Sequence, residues 1–358
     1  MKGQKRKLLT GLILTLVFCV SQAFLSFAVT KAADVQIQLP SFEDLFAQLG
    51  EGQEDTALQD ETAGNETGFA TKEDAARAYI EGLIGHDVQQ MLSACALETY
   101  VKHYDLERQI ERLRSLPPIA SNAYLPANGD LAYQINLETR RSELTKMIQY
   151  QYLSMTGVDI DRRISPVILE DNSSAGDLIS SVFGPEITEI SMEGDVFPGY
   201  LLSPLMLEGN GQWGGAMAAY ADHADRIDSV AAILRIDGEL FLLTLGTECF
   251  DGTWYVTNFN ILQNIMGMDM YTGGLVPMEV GISDEEVRAL MDIIQNDENL
   301  NAIFGKVENA FSSLDLEEIF AVSDLNNIRR ESYTQALDTA VREYLTEEEL
   351  AYLSAIME

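Results

Sequence analysis

Histidine and tryptophan are scarce in this chain, three and two residues out of 358, and that scarcity narrows the chemistry open to it. Zinc centres need clustered Cys and His ligands, and neither the histidines (His86, His103, His223) nor the cysteines (Cys19, Cys95, Cys249) fall at ligand spacing. Gly-x-Ser-x-Gly, Walker-type Gly-rich loops, His-Glu-x-x-His and Cys-x-x-Cys are all absent. With them go the sequence signatures of nucleophile-elbow hydrolases, P-loop proteins, zinc proteases and dithiol redox proteins. No cofactor and no metal is expected on these grounds. A calcium-loop template places Asp297, Asn299, Asn301 and Glu308 at ligand positions, but Ala302 stands where the sharp turn demands glycine. Those residues read instead as a helix cap and the helix after it.

Basic side chains are the second shortage: 23 Lys and Arg face 57 Asp and Glu. Affinity for nucleic acid comes from neutralising phosphates with Lys and Arg, so nucleic-acid partners are excluded, and anionic membrane surfaces are disfavoured for the same reason. The bland consequence of the charge is solubility; the functional one is attraction of divalent cations or of a basic surface.

The few basic residues are unevenly placed. Lys2, Lys5, Arg6 and Lys7 precede an uncharged, mostly apolar run from Leu8 to Thr30. That is the pattern of a secretory signal peptide, its basic end held on the cytosolic side. Ser21-Gln22-Ala23, Ser26-Phe27-Ala28 and Thr30-Lys31-Ala32 are candidate cleavage sites. The run is 23 residues long, against about 20 for a spanning helix, so an uncleaved signal anchor is the alternative. Residues 1–33 are thus a signal peptide or anchor, and the protein is expected to be secreted or held on the extracellular face of the cell membrane. Membrane contact would come through this N-terminal segment alone. Without it the chain has 18 basic and 57 acidic side chains, a formal charge of −39. Cys95 and Cys249 then remain. Outside the cytosol such a pair is a candidate disulfide, while each also fits the role of a buried core thiol.

Residues 34–70 read as an acidic disordered linker, because one-signed charge with little apolar surface does not offset ordering entropy. Within it Phe42, Leu45, Phe46 and Leu49 share one face of a two-turn helix. Order is expected from Thr71, whose hydroxyl caps a helix carrying Ala75, Ala76, Tyr79, Ile80, Leu83 and Ile84 on one face. Gly85-His86-Asp87 breaks that helix and a shorter one follows through Cys95. Further helices are predicted over Leu106–Leu116 and Leu131–Met155. Asn210-Gly-Gln-Trp-Gly-Gly215 reads as a loop, and Trp213 with Trp254 as a candidate pair for stacking a sugar ring. Ile187–Met192 is a candidate strand. The firmest signal is Asp228–Leu262, where Asp237-Gly238 and Asp251-Gly252 separate three apolar runs. Asp-Gly supplies the positive φ angles of a tight hairpin turn, so this is a three-stranded antiparallel meander. From Ser283 onward the pattern is helical, with capping boxes at Ser283/Glu286 and Thr346/Glu349. The division is then an α+β domain over 71–275, with inserted helices at about 105–225, and a C-terminal helical region over 276–358. That region is either a small subdomain or a layer on the sheet.

The helix Ala75-Ala76-x-Ala78-Tyr79-x-x-Gly82-Leu83, the Gly85-His86-Asp87 turn, Met91-Leu92-x-x-Cys95-Ala96 and the strand Asp251-Gly-Thr-Trp-Tyr-Val256 together resemble the nuclear transport factor two-like superfamily. The resemblance covers Thr71–Tyr104 and Asp228–Ile265. It also extends to uncharacterised exported proteins of Gram-positive-type bacteria. It implies N-terminal helices with a curved antiparallel sheet forming a cone around a pocket, on which enzymes, binding modules and assembly domains are all built.

His223, between Asp222 and Asp225, is the leading candidate for acid–base or ligand chemistry, since a histidine flanked by carboxylates suits such a role. His103, near Asp105 and Glu107, is the second. His86 reads as a polar turn residue. Three functions are expected to compete: a non-enzymatic module binding a small molecule or a protein; a cone-fold hydrolase or isomerase using a His/carboxylate pair; and a membrane-anchored envelope assembly protein. Of these the first is favoured, and the ligand is unknown.

Overall fold

The computed structural model describes residues 66–115, 124–125, 129–156, 189–202, 207–257, 273–278 and 283–357. The expected leader, the linker up to residue 65 with its Phe42–Leu49 helix, and the end of the third strand beyond Thr257 lie outside the described residues. No helix among the described residues is long and apolar enough to cross a membrane.

The chain is α+β, with a curled antiparallel sheet and many helices, those at the C-terminus included. It opens with α1 (Lys72–Ile84), α2 (Val88–Ser93), α3 (Glu98–His103), α4 (Leu106–Ser115) and the long α5 (Asp130–Thr156). Two short strands, β1 (Ile190–Met192) and β2 (Phe197–Pro198), lead through a 3-10 turn to α6 (Gly209–Asp222). The centre is β3 (Arg226–Ile236), β4 (Glu239–Phe250) and β5 (Thr253–Thr257), with β6 (Leu275–Pro277) closing the sheet. Five helices follow: α7 (Asp284–Asn296), α8 (Glu298–Ser312), α9 (Leu316–Phe320), α10 (Asn326–Tyr344) and α11 (Glu347–Met357).

The predicted meander forms, and its turns use the expected residues: φ is +48° at Asp237, +91° at Gly238, +50° at Asp251 and +76° at Gly252. β3 and β4 pair from Arg226↔Cys249 to Ile236↔Glu239. Their outer edges are each shared by two short strands, β1 and β2 on β3, β5 and β6 on β4.

Alternate residues of a strand face opposite sides, and here both sides are covered. Val230, Ala232, Leu234, Phe241, Leu243 and Leu245 pack with Tyr79, Ile80 and Leu83 of α1 and with Leu144 and Ile148 of α5. Ala231, Ile233 and Leu242, one position out of phase, pack with α6 and the C-terminal helices through Trp213, Met217, Leu290, Ile303 and Leu337. The C-terminal region is therefore a layer on the sheet rather than a separate subdomain. Strands buried on both faces have no polar phase, which is why their apolar runs are nearly continuous.

Local signals hold the helices where the sequence places them. Thr71 Oγ1 accepts from Asp74 N at 3.1 Å, and Ser283 with Glu286 forms the reciprocal capping box. Asp297 caps α8 by accepting from Asn299 and Leu300, so the calcium-loop residues begin a helix. Order begins before Thr71: Phe69 pairs with Trp254, and the Glu66 carboxylate accepts from Glu98 N and Thr99 N.

Asn210–Gly215 differs from its expected loop; it lies in the first half of α6. A Cβ on neighbouring Gly209 would meet Thr334 Cα at 2.4 Å. Close approach of α6 to α10 thus outweighs the weak helix propensity of glycine. Trp213 is buried against Phe320 and Tyr333, at ring-centroid distances of 5.5 and 6.2 Å. Trp254 is half-buried beneath the Arg226 guanidinium, 5.0 Å from its ring. Neither ring joins the other in a sugar platform.

An ionic quartet, buried at Lys72 and Asp228 and partly exposed at Arg226 and Glu308, ties the layers together. Lys72 Nζ is 2.6 Å from Asp228 and 2.5 Å from Glu308. Arg226 reaches the same two carboxylates and donates to Ser312 Oγ at 2.8 Å. Beyond β2, the start of β3 is therefore flanked by charged side chains and α8, a common treatment of an exposed strand edge. Burial opposes the charge on Lys72, but Asp228 and Glu308 override it and hold the ammonium above its usual range. Burial would raise Asp228; Lys72 and Arg226 prevail and hold it below the usual carboxylate range.

Candidate functional site

Three chain segments meet at one end of the sheet: the last turn of α3, the C-terminus of α6 and the β4–β5 hairpin tip. They bring His103 to His223 and Asp225, more than a hundred positions further along the chain, and add Asp251.

His103 is positioned by its own helix. Its Nδ1 lies 2.8 Å from the Thr99 carbonyl one turn back. A carbonyl only accepts, so Nδ1 carries the hydrogen and the neutral ring has its lone pair on Nε2. That nitrogen is 3.2 Å from Asp251 Oδ2. The ring packs on Phe250 at 4.9 Å between centroids. Asp251 is 88% exposed at the hairpin tip.

His223 ends α6 in the left-handed conformation, φ +55° and ψ +34°, its N–H returned to the carbonyls of Ala219 and Tyr220. This is a left-handed helix cap. Its exposed ring stands edge-on to His103, with centroids 6.5 Å apart and planes at 89°. Asp225 locks the junction: its Oδ2 accepts from Gly252 N at 2.9 Å, and its own N–H donates to Cys249 O at 2.8 Å.

Asp222 turns the other way. It is buried and accepts from Tyr100 Oη at 2.9 Å and Gln109 Nε2 at 2.5 Å. The two aspartates that flank His223 in sequence thus serve different structures. Behind the rim, buried Arg140 donates to Ala96 O at 3.0 Å and Thr257 Oγ1 at 2.9 Å, pairs with Glu248 at 3.2 Å, and lies 3.7 Å from the Tyr100 ring centroid. Burial, and then Asp222, push the Tyr100 phenol well above its ordinary range, so it remains a hydrogen-bond donor. His86 sits elsewhere, in the α1–α2 turn, with Nδ1 3.3 Å from Tyr152 Oη.

The two cysteines are free thiols, and the candidate disulfide is not formed. Cys95 bridges to Val256 on β5, and Cys249 lies on β4, across the other side of β5. Strands sit about 4.8 Å apart, so two strand spacings exceed the roughly 7 Å Cα limit for a disulfide. The Cys95 thiol donates to Met91 O at 3.3 Å. Burial, and then Asp225, push the Cys249 thiol up to about 12, which keeps it from being a thiolate nucleophile at neutral pH.

Asp251 was legible in the sequence only as a turn residue. Its place beside His103 depends on α3 packing against the hairpin, which no local spacing encodes.

No family model matches the chain, and no curated protein matches it. Among solved structures the chain has a slight likeness to a cystatin-like protein from Ruminococcus gnavus, with a TM-score of 0.32 and 10% identity, covering 80% of this chain and 73% of that one. A likeness that slight carries no argument about fold or function. What belongs to this chain is therefore the α+β architecture with its curled antiparallel sheet, and the rim that three of its segments build.

Proposed function

We propose that the protein is an exported, non-enzymatic binding module whose ligand is another protein, built on a nuclear transport factor two-like variant of the α+β fold. It is delivered by residues 1–33 to the extracellular space or the outer face of the membrane, and nucleic acid is not among its partners. Helices preceding a curled antiparallel sheet support the fold reading. Apolar packing on both faces of β3 and β4 favours an external binding surface over an enclosed small-molecule pocket.

One observation carries the choice of ligand. In the turn from α9 into α10, Val322, Leu325 and Ile328 are 57%, 59% and 38% exposed on a strongly acidic protein. Neighbouring apolar side chains left in water mark an interaction surface more often than scattered single ones do. The hydrolase or isomerase alternative receives less support. A general base needs a ring nitrogen free to reach substrate and a carboxylate that orients it; both nitrogens of His103 face protein acceptors, and the carboxylates flanking His223 are turned to Tyr100 and Gln109 and to Gly252.

Two measurements test the reading. N-terminal sequencing of material outside the cytosol is expected to find a chain starting between residues 24 and 34, or an anchored chain in the membrane fraction; soluble cytosolic protein retaining Met1 overturns export. A photo-crosslinker at Leu325 on the producing cells is expected to give a discrete protein adduct. The same probe at exposed Thr339 is expected to give none. Equal yields at the two positions overturn the binding surface.

A further inference from the structure

The corner between α9 and α10 is locked from within. Ser323 Oγ accepts from Leu325 N at 3.1 Å, and Leu325 O accepts from Ile328 N and Arg329 N at 3.0 Å each. Buried Arg329 reaches back and donates through Nε to Phe320 O at 3.0 Å. Val322, Leu325 and Ile328 therefore stand in water on a fixed turn, and none of these bonds uses their side chains. Leu325 is the least expected of the three. It is the N-cap of α10, extended at φ −91° and ψ 120°, and its side chain closes no cap bond. Serine, aspartate and asparagine serve that position best, and leucine is among the poorest. An exposed leucine there stabilises neither the helix nor the core. Local stability given up at an exposed residue points to a contact made outside the chain.

We propose that this corner receives a basic segment of a partner protein, with apolar side chains at its centre and Lys or Arg around them. The inference rests on the protein-binding reading above and names the partner's chemistry. Charge complementarity carries it. Along residues 315–331 the carboxylates of Asp315, Glu317, Glu318, Asp324 and Glu331 are exposed, and of the two arginines there only Arg330 is. Arg108 pairs with Glu317, and Arg329 lies 3.9 Å from Asp324. Even with all three arginines counted, carboxylates outnumber cations five to three, on a chain of formal charge −34. An apolar centre inside a charged rim is the anatomy of a docking patch. A rim of one sign speeds encounter with a partner of the other and penalises like charge. A second copy of this acidic chain and an anionic bilayer both carry the wrong sign. A basic segment with apolar side chains supplies both halves of the match.

The probe is a fluorescent amphipathic Leu/Lys peptide, titrated by anisotropy against the chain beginning after residue 33. Binding is expected, weakening as salt rises, and a Leu/Glu peptide should not bind. Leu325→Ser leaves every charge in place and should weaken the Leu/Lys peptide about tenfold or more. Its thermal midpoint should stay level or rise, because serine caps the helix better. Asp324→Lys with Glu331→Lys should also weaken binding about tenfold. Glu343→Lys with Glu347→Lys, the same change of charge at the α10–α11 junction, should alter it less than about twofold. Equal losses in the two charge variants would mean general attraction to an acidic chain, and undiminished binding in Leu325→Ser would mean that the corner takes no part. Either overturns the proposal, as does capture of phosphatidylglycerol vesicles that Leu325→Ser abolishes. A crosslinked adduct at Leu325 without Leu/Lys binding would sink the basic partner and keep the protein-binding surface; absence of both would sink both.

Discussion

Lys72, the first residue of α1, places its ammonium 2.6 Å from the Asp228 carboxylate on β3, with both side chains almost wholly out of water. Replacing Lys72 with Met leaves Asp228 and Glu308 without one of their two cations. Unpairing a buried carboxylate costs about 3–5 kcal/mol. The expected result is a loss of that order in urea unfolding at neutral pH. A loss below about 1 kcal/mol would mean that Arg226 alone neutralises the pair.

The same quartet sets a pH window. Asp228 is held below its unfolded value, so its contribution is present above about pH 4 and is lost as pH falls through the folded value. Lys72 is held above its unfolded value. Its contribution is complete below about pH 10 and is lost as pH rises through the folded value. Thermal midpoints should form a plateau between these limits and fall on both sides. In Lys72→Met the alkaline fall should shrink.

Two glycines should respond to alanine for different reasons. At Gly252, φ is +76° and a Cβ would meet nothing within 4 Å, so the cost is conformational, about 1–2 kcal/mol. At Gly209 the new Cβ would press on the Thr334 backbone at 2.4 Å. There a stronger helix former is expected to destabilise by about 1–3 kcal/mol through overpacking. Chemical denaturation of both variants checks the pair, and a stabilised Gly209→Ala would contradict the close approach of α6 to α10.

Cys95 and Cys249 are expected to behave as protected thiols. A thiol reagent on the chain beginning after residue 33 should react slowly in the native state and label two sites after unfolding. Reduction beforehand should change neither the count nor the thermal midpoint. Two sites that appear only after reduction would mean that the pair is oxidised.

Much of the local structure was legible because short-range physics encodes it. Thr71, Ser283, Asp237-Gly238 and Asp251-Gly252 act through bonds and φ angles within a few residues, and each does in the fold what its neighbours imply. The glycine-rich start of α6 was not legible, because Gly209 lies against Thr334, 125 positions further along the chain. Pairing of Cys95 with Cys249 was a matter of distance, and only strand order showed β5 lying between them.

The candidate site divides the same way. Sequence alone singled out His223 and His103, by their carboxylate neighbours and by the scarcity of histidine. It had no means of separating the two aspartates beside His223, since burial decides that Asp222 serves Tyr100 and Asp225 the hairpin. Nor could it pair His103 with Asp251.

By itself, then, the sequence determined the charge balance, the start of α1, the hairpin turns and the helical C-terminus, because each is a property of composition or of residues in near contact along the chain. Tertiary structure alone decided that the C-terminal helices lie on the sheet, that Lys72 meets Asp228 and Glu308, and that the two histidines share a rim. Those contacts join residues that no local spacing connects, 48 positions apart for Leu242 and Leu290 and 156 for Lys72 and Asp228, and their energy exists only once both faces of β3 and β4 have been covered.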